Sequence, residues 1–98
     1  MKTLHLVLKK RWFDMIASGL KLEEYRIIKP YWDVRLNKHY DVVRFRNGYK
    51  PDAPVMELEL ISIKQGMGKP EWGASNYMPV YIIRLGRLIS IARWRAAA

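Results

Sequence analysis

Three ionisable residues, Lys21, Glu24 and Arg26, follow a glycine within the run Gly19-Leu20-Lys21-Leu22-Glu23-Glu24-Tyr25-Arg26. A lysine and an arginine are donors for anions, and the arginine fork matches a phosphate or carboxylate bidentately. A carboxylate between them can accept from a base or ribose, or take a proton from water as a general base. Glycine leaves a helix through the left-handed region, so Gly19 suits the end of one element and the release of an extended strand. Side chains alternate along such a strand, which puts Glu24 and Arg26 on one face and Tyr25 on the other. Lys21, just past the turn, is free of that alternation and can swing to the same side. Two arrangements satisfy the pattern. One is a solvated cluster at a strand end, where exposed pairs contribute roughly 0 to 1 kcal/mol. The other is a site where cation, carboxylate and guanidinium converge.

A second constellation is Arg44, Arg46 and Lys50 with the aromatics Tyr49 and Trp72. Arginine grips phosphate and aromatic faces stack on exposed bases, so this mixture suits single-stranded or looped RNA. The alternative role for Tyr49 and Trp72 is to close the ends of a barrel as core plugs, and large aromatics in small domains commonly do so. No P-loop, dinucleotide fingerprint, paired-histidine metal pattern or spaced Ser-His-Asp grouping is present. Neither a cofactor nor a metal is expected.

The 98 residues suffice for one core, and half of them are hydrophobic, which excludes a chain disordered for want of apolar residues. The absence of cysteine removes disulfides and thiolate metal sites. The N-terminal residues lack the apolar core of a signal peptide, and no stretch has the length of a membrane span, so a cytoplasmic protein without membrane contact is expected. The formal charge is +9. Positions 1–49 hold eleven basic and five acidic residues, and the remainder seven and four, so the excess is spread along the chain rather than held in a tail. A domain this basic attracts polyanions, of which nucleic acid is the commonest in a cell.

The elements that must carry these residues follow from periodicity. Leu4, Leu6 and Leu8 alternate with His5 and Val7, the pattern of a half-buried strand from Thr3 to Leu8. From Lys9 to Ser18 the period lengthens to that of a helix, with Trp12, Met15, Ile16 and Gly19 or Leu20 on the apolar side and Lys10, Arg11 and Asp14 outward. Lys29-Pro30 breaks the chain after the Glu24 strand, and Pro30 to Asn37 reads as a short helix with Tyr31, Val34 and Leu36 inward. Tyr40 to Arg46 and Val55 to Ile63 alternate as an antiparallel pair around Asn47-Gly48. Arg44 and Arg46 stand opposite Glu57 or Glu59 in that pair, and Ile63 shares their face. Gln65 to Pro79 reads as a long loop, and Val80 to Leu85 as a strand. Arg87 to Arg95 is either a sixth strand or a short helix, and Ala96 to Ala98 reads as a frayed end.

The spacing G-x-K-x-x-E-x-R at Gly19, Lys21, Glu24 and Arg26, set between an opening strand and helix and later strands around Val43 and Leu58, resembles the ASCH domain of the PUA-like superfamily. The resemblance covers roughly Lys2 to Leu85, with residues 86–98 as a C-terminal extension of a single domain. It implies an α+β fold, a PUA-like mixed β-barrel of five or six strands with one or two flanking helices. It also implies RNA or a modified nucleoside as ligand, in a cleft where Lys21 and Arg26 hold phosphate and Glu24 accepts from base or ribose. A branch similar to this domain removes an acyl group from N4-acetylcytidine with a lysine, a threonine nucleophile and a glutamate. Lys21 matches that lysine, but Glu24 stands where that branch has threonine. A carboxylate is a poor nucleophile toward an amide, because the adduct is a mixed anhydride. An amidohydrolase would instead need Glu24 to activate water and Lys21 to stabilise the oxyanion, and a ribonuclease would draw on Lys21, Glu24 and Arg26.

Overall fold

The alternation of Thr3 to Leu8 is realised as strand β1 (Thr3–Leu8), with Leu4, Leu6 and Leu8 buried and His5 exposed. The structure is a computed structural model and describes residues 1–95, so the frayed end expected at residues 96–98 lies outside the described residues. After β1 come helix α1 (Lys10–Ala17), strand β2 (Glu23–Ile27), helix α2 (Pro30–Leu36), strand β3 (Val42–Asn47) and strand β4 (Val55–Gly66). A single 3-10 turn at Pro70–Trp72 precedes strand β5 (Val80–Ala92). The five strands form one sheet in the order β1-β3-β4-β5-β2, curled into a half-barrel. β1 runs parallel to β3, and every other pairing is antiparallel.

This is an α+β fold, but the sheet does not close on itself. β1 and β2 are its two edges and are not paired with each other. Helix α1 joins these two edges in sequence and drives Phe13 and Ile16 into the core beside Leu4, Phe45, Met56 and Ile83. A guanidinium bridges the same opening: Arg26 Nη2 on β2 donates to the Val7 carbonyl on β1 at 3.1 Å. A side chain thus spans the edges where a backbone ladder would close a full barrel.

The end of α1 fixes how β2 enters the sheet. Gly19 takes φ +84°, its N–H donates to Ile16 O at 3.1 Å, and Leu20 N–H donates to Met15 O at 2.9 Å. That pair of bonds is a Schellman cap, which satisfies the orphan carbonyls of the last turn and turns the chain sharply out of the helix. The expected helix over Lys9 to Ser18 is therefore Lys10–Ala17 with Lys9 and Ser18 as caps. Leu20, an expected alternative to Gly19 on the apolar side, is exposed, and Phe13 takes the most buried position of the helix.

Several other expectations shift for physical reasons. In α2 the inward residues are Trp32 and Leu36, one helical turn apart, while Tyr31 is 52% and Val34 65% exposed. Asp33 fixes that rotation by accepting from the buried Tyr81 hydroxyl on β5. β3 is Val42–Asn47 rather than Tyr40 to Arg46, and Arg44 pairs with Glu57 at 2.7 Å as the register places them. Arg46 stands opposite Val55, so it donates to the turn carbonyls of Gly48 and Lys50 instead of to an acid. Ile63 was expected on the face of Glu57 and Glu59. Register shifts between Leu58 and Ser62 return it to the core side, opposite Ile83, because each extra residue in a bulge inverts the alternation after it. The strand from Val80 does not stop at Leu85 but runs through Gly86 to Ala92, so the segment after Gly86 prolongs β5 and forms neither a sixth strand nor a helix. Trp94 follows it and donates from its indole N–H to Asp14 on α1 at 3.0 Å.

Phe13 carries much of the attachment of α1. Its truncation in Phe13→Ala is expected to cost about 3–5 kcal/mol, the range for emptying a buried aromatic site. Val34→Ala, on the exposed side of α2, should stay within about 0.5 kcal/mol of the parent in the same urea titration.

Candidate functional site

Lys21, Glu24 and Arg26 do meet, and they meet below the surface. Lys21 is 2% and Glu24 5% exposed, the only buried charged residues among those described. Glu24 Oε1 lies 3.2 Å from Lys21 Nζ, and Glu24 Oε2 lies 2.7 Å from Arg26 Nη2. Each carboxylate oxygen therefore has its own cation. β2 pairs antiparallel with β5, and its register sets Glu24 opposite Ile83 and Arg26 opposite Tyr81, both core residues, so the pair lies on the concave side of the sheet.

Lys21 is held from a second direction. Its ammonium donates to the carbonyl of Trp72 and lies 4.4 Å from the Trp12 ring centroid and 5.1 Å from that of Tyr25. Trp72 is the last residue of the 3-10 turn, and Gly73 ends that turn at φ +101°. A carbonyl at a helix end lacks an intrahelical partner and carries partial negative charge, so it suits an ammonium. A Cβ on Gly73 would stand 3.0 Å from the Trp12 indole, so glycine also lets the turn pack onto that ring. Burial pushes the Lys21 ammonium below its ordinary pKa, and the adjacent Glu24 carboxylate pulls against that shift.

Arg26 faces the open side. Its guanidinium lies 5.0 Å from the Trp32 ring centroid, and its Nε is buried without a partner. Beside it a cleft of about 480 Å³ runs between the end of β1, the start of α1, β2 and α2. Lys9, Trp12, Glu24, Tyr25, Arg26 and Trp32 give it its polar and aromatic lining. Lys21 does not line this cleft. It lines an adjoining space of about 70 Å³ with Trp72 and Gly73, and Trp12, Glu24 and Tyr25 are common to the walls of both.

Of the eight residues singled out from sequence, Lys21, Glu24, Arg26 and Trp72 come together, Trp72 through its backbone, whereas Lys50 is exposed in the turn after β3. The Trp72 ring is half-buried, stands outside the core cluster and faces the Lys69 ammonium at 4.4 Å, so it is not a core plug. Arg44, Arg46 and Tyr49 are elsewhere. Arg44 and Arg46 share a strand face with the Glu57 side of the sheet, opposite to that of Val43 and Phe45, and Tyr49 is 85% exposed in the turn after β3. None of the three lines the cleft.

Sequence reading passed over Lys9, Trp12, Tyr25 and Trp32. A signal was available in the two stretches where basic residues adjoin aromatics, Lys9-Lys10-Arg11-Trp12 and Lys29-Pro30-Tyr31-Trp32. Each opens a helix that flanks the cleft. Among the described residues no group of three or more His, Asp or Glu could hold a metal ion, and no helix is long and apolar enough to cross a membrane. Comparison with known protein families, curated proteins and solved structures finds no match to this chain.

Two outcomes test this geometry. Removing the carboxylate in Glu24→Ala leaves two cations facing each other, and the loss of one partner from a buried pair costs on the order of 3–5 kcal/mol, readable by urea denaturation. Tyr25 gives a pH signature. Burial, and then the hydrogen bond it donates to Glu23, push its hydroxyl up to about 12, against the pull of the Lys69 N–H. A raised pKa favours the protonated form in the fold. That contribution is complete below the ordinary tyrosine value of 10, and it is lost as pH rises from 10 through 12. Tyr81, which donates to Asp33, is raised as well, so absorbance at 295 nm should show late-titrating tyrosines, one of which disappears in Tyr25→Phe.

Proposed function

We propose that this chain is an ASCH-type, PUA-like domain that binds RNA or a modified nucleoside in the cleft beside Glu24 and Arg26. The observation that carries the reading is the character of the cleft wall: the Arg26 guanidinium packs over Trp32, Trp12 and Tyr25 stand beside it, and Lys9 lies at the rim. Aromatic faces stack on a base of any sequence, and guanidinium and ammonium groups take the phosphate. The triad itself carries a net charge of +1, two cations against one carboxylate, which favours an anionic ligand. In this reading Glu24 accepts from an exocyclic amine or a ribose hydroxyl through the lone pairs its cations leave free.

Hydrolysis is the weaker reading, and the pairing of Glu24 is the reason. A general base needs a carboxylate oxygen free to contact water, whereas each Glu24 oxygen is engaged by a cation in a nearly dry setting. An oxyanion donor needs a free N–H aimed at the reacting centre, whereas the Lys21 ammonium is engaged by Glu24 and the Trp72 carbonyl, away from the larger cleft. Purified protein incubated with N4-acetylcytidine is expected to release no acetate.

Fluorescence anisotropy with a short single-stranded RNA tests the binding reading directly. Affinity should fall steeply with salt as neutralised phosphates release counterions. Lys9→Ala should lower the slope of log K against log salt by about one. Arg26→Ala should weaken binding about 10- to 100-fold, the range for a charged hydrogen bond. Arg46→Ala, on the other face of the sheet, is the charge-matched comparison and should lose far less. Binding that ignores salt, or equal losses in the two arginine variants, would remove the cleft from the reading.

A further inference from the structure

An exposed tyrosine and an arginine on α2 adjoin the cleft without lining it. Tyr31 is 52% exposed although an inward position was open to it on grounds of hydrophobicity. The Arg35 guanidinium lies over its ring, 3.5 Å from the centroid, and also donates to the Tyr31 carbonyl at 2.9 Å. The Arg35 carbonyl in turn accepts from the Tyr40 hydroxyl at 2.6 Å. Lys29 Nζ lies 6.0 Å from the same ring. These contacts order a pair of long side chains at the surface, where nothing in the packing of the core requires it.

The pair continues the line of the cleft. The Tyr31 and Trp32 ring centroids are 4.8 Å apart at an interplanar angle of 82°, and Trp32 packs under Arg26 in the cleft wall. From Arg35 through Tyr31 and Trp32 to Arg26, the contacts therefore run without a gap, two adjoining rings flanked by a guanidinium at each end. Only one carboxylate on α2 interrupts the positive charge, and Asp33 is occupied by the Tyr81 hydroxyl. Tyr31 does not line the cleft, so a ligand confined to the cleft leaves its exposed ring unused. A duplex keeps its base faces stacked internally and cannot offer one to the ring. A single strand can use both, because its unstacked bases settle on aromatic or guanidinium planes while its phosphates meet the flanking cations.

We propose that Tyr31 and Arg35 form a second subsite that stacks the nucleotide next to the one held in the cleft, so that the ligand is a single-stranded RNA of at least two nucleotides. This rests on the cleft reading above. The test measures affinity for the four ribonucleoside monophosphates, a mixed-sequence single-stranded RNA hexamer and a blunt RNA duplex, by calorimetry and anisotropy. The wild-type protein should bind the hexamer at least tenfold more tightly than any mononucleotide, and more tightly than the duplex. Tyr31→Ala should collapse most of that hexamer-to-mononucleotide ratio, Tyr31→Phe should preserve it because the ring face is kept, and Arg35→Ala should reduce it independently. Thermal melts of all three variants should match the parent, since both side chains are exposed.

Mononucleotide binding that depends on Arg26, with a hexamer ratio near one or a ratio unmoved by Tyr31→Ala and Arg35→Ala, overturns the second subsite and leaves the cleft reading standing. Duplex binding as tight as hexamer binding overturns the single-strand assignment. Absence of binding to mononucleotide and hexamer alike overturns both readings.

Discussion

A carboxylate taken out of water must be paired, and in this protein the pairing of Glu24 ties the elements together. Moving one ion into a protein interior costs several kcal/mol even after relaxation, and only close partners with good geometry offset it. Glu24 has one cation per oxygen, and those two cations reach three further parts of the chain. Lys21 reaches the carbonyl at the end of the 3-10 turn, and Arg26 reaches the edge of β1 and the ring of Trp32 on α2. The loop between β4 and β5, the first strand and the second helix are thereby referred to one buried oxygen pair.

The same constraint explains the shape of the sheet. Its two edges stay unpaired, and the opening between them is filled by α1 and crossed by the Arg26 guanidinium. A backbone ladder there would consume the edge groups and close the barrel. A side chain leaves room beside it, and that room is the cleft. The charge that holds the edges together thus also lies in the wall of the candidate site. A buried ion triad is a weak way to gain stability compared with apolar packing of similar volume.

The cation and aromatic groups around the triad follow one physical rule. Lys21 is framed by Trp12 and Tyr25, Arg26 by Trp32, Arg35 by Tyr31 and Lys69 by Trp72. Ring faces are electron-rich and apolar, so they stabilise a cation without offering a competing anion. Lys21 and Arg26 share the one carboxylate of Glu24, and Arg44 is paired with Glu57, whereas Arg35 and Lys69 are framed by their rings with no carboxylate partner among the described residues.

The amino-acid sequence by itself determined the local elements and the shared strand face of Glu24 and Arg26. Leucine alternation fixed β1, Gly19 fixed the exit from α1, and the two-residue spacing of Glu24 and Arg26 placed them on one strand face, because each of these is decided by backbone geometry within a few residues. Tertiary structure decided what lies between distant segments. The depth of Lys21 and Glu24 depends on a turn about fifty residues later, since Trp72 supplies the acceptor and covers the site. The rotation of α2 depends on Tyr81, whose hydroxyl captures Asp33 and so turns Trp32 inward and Tyr31 out. The continuation of β5 past Gly86 and the return of Ile63 to the core depend on the β4–β5 register, whose shifts no short-range alternation reveals. In each case the deciding partner is far away in sequence, and local periodicity carries no information about a partner it does not contain.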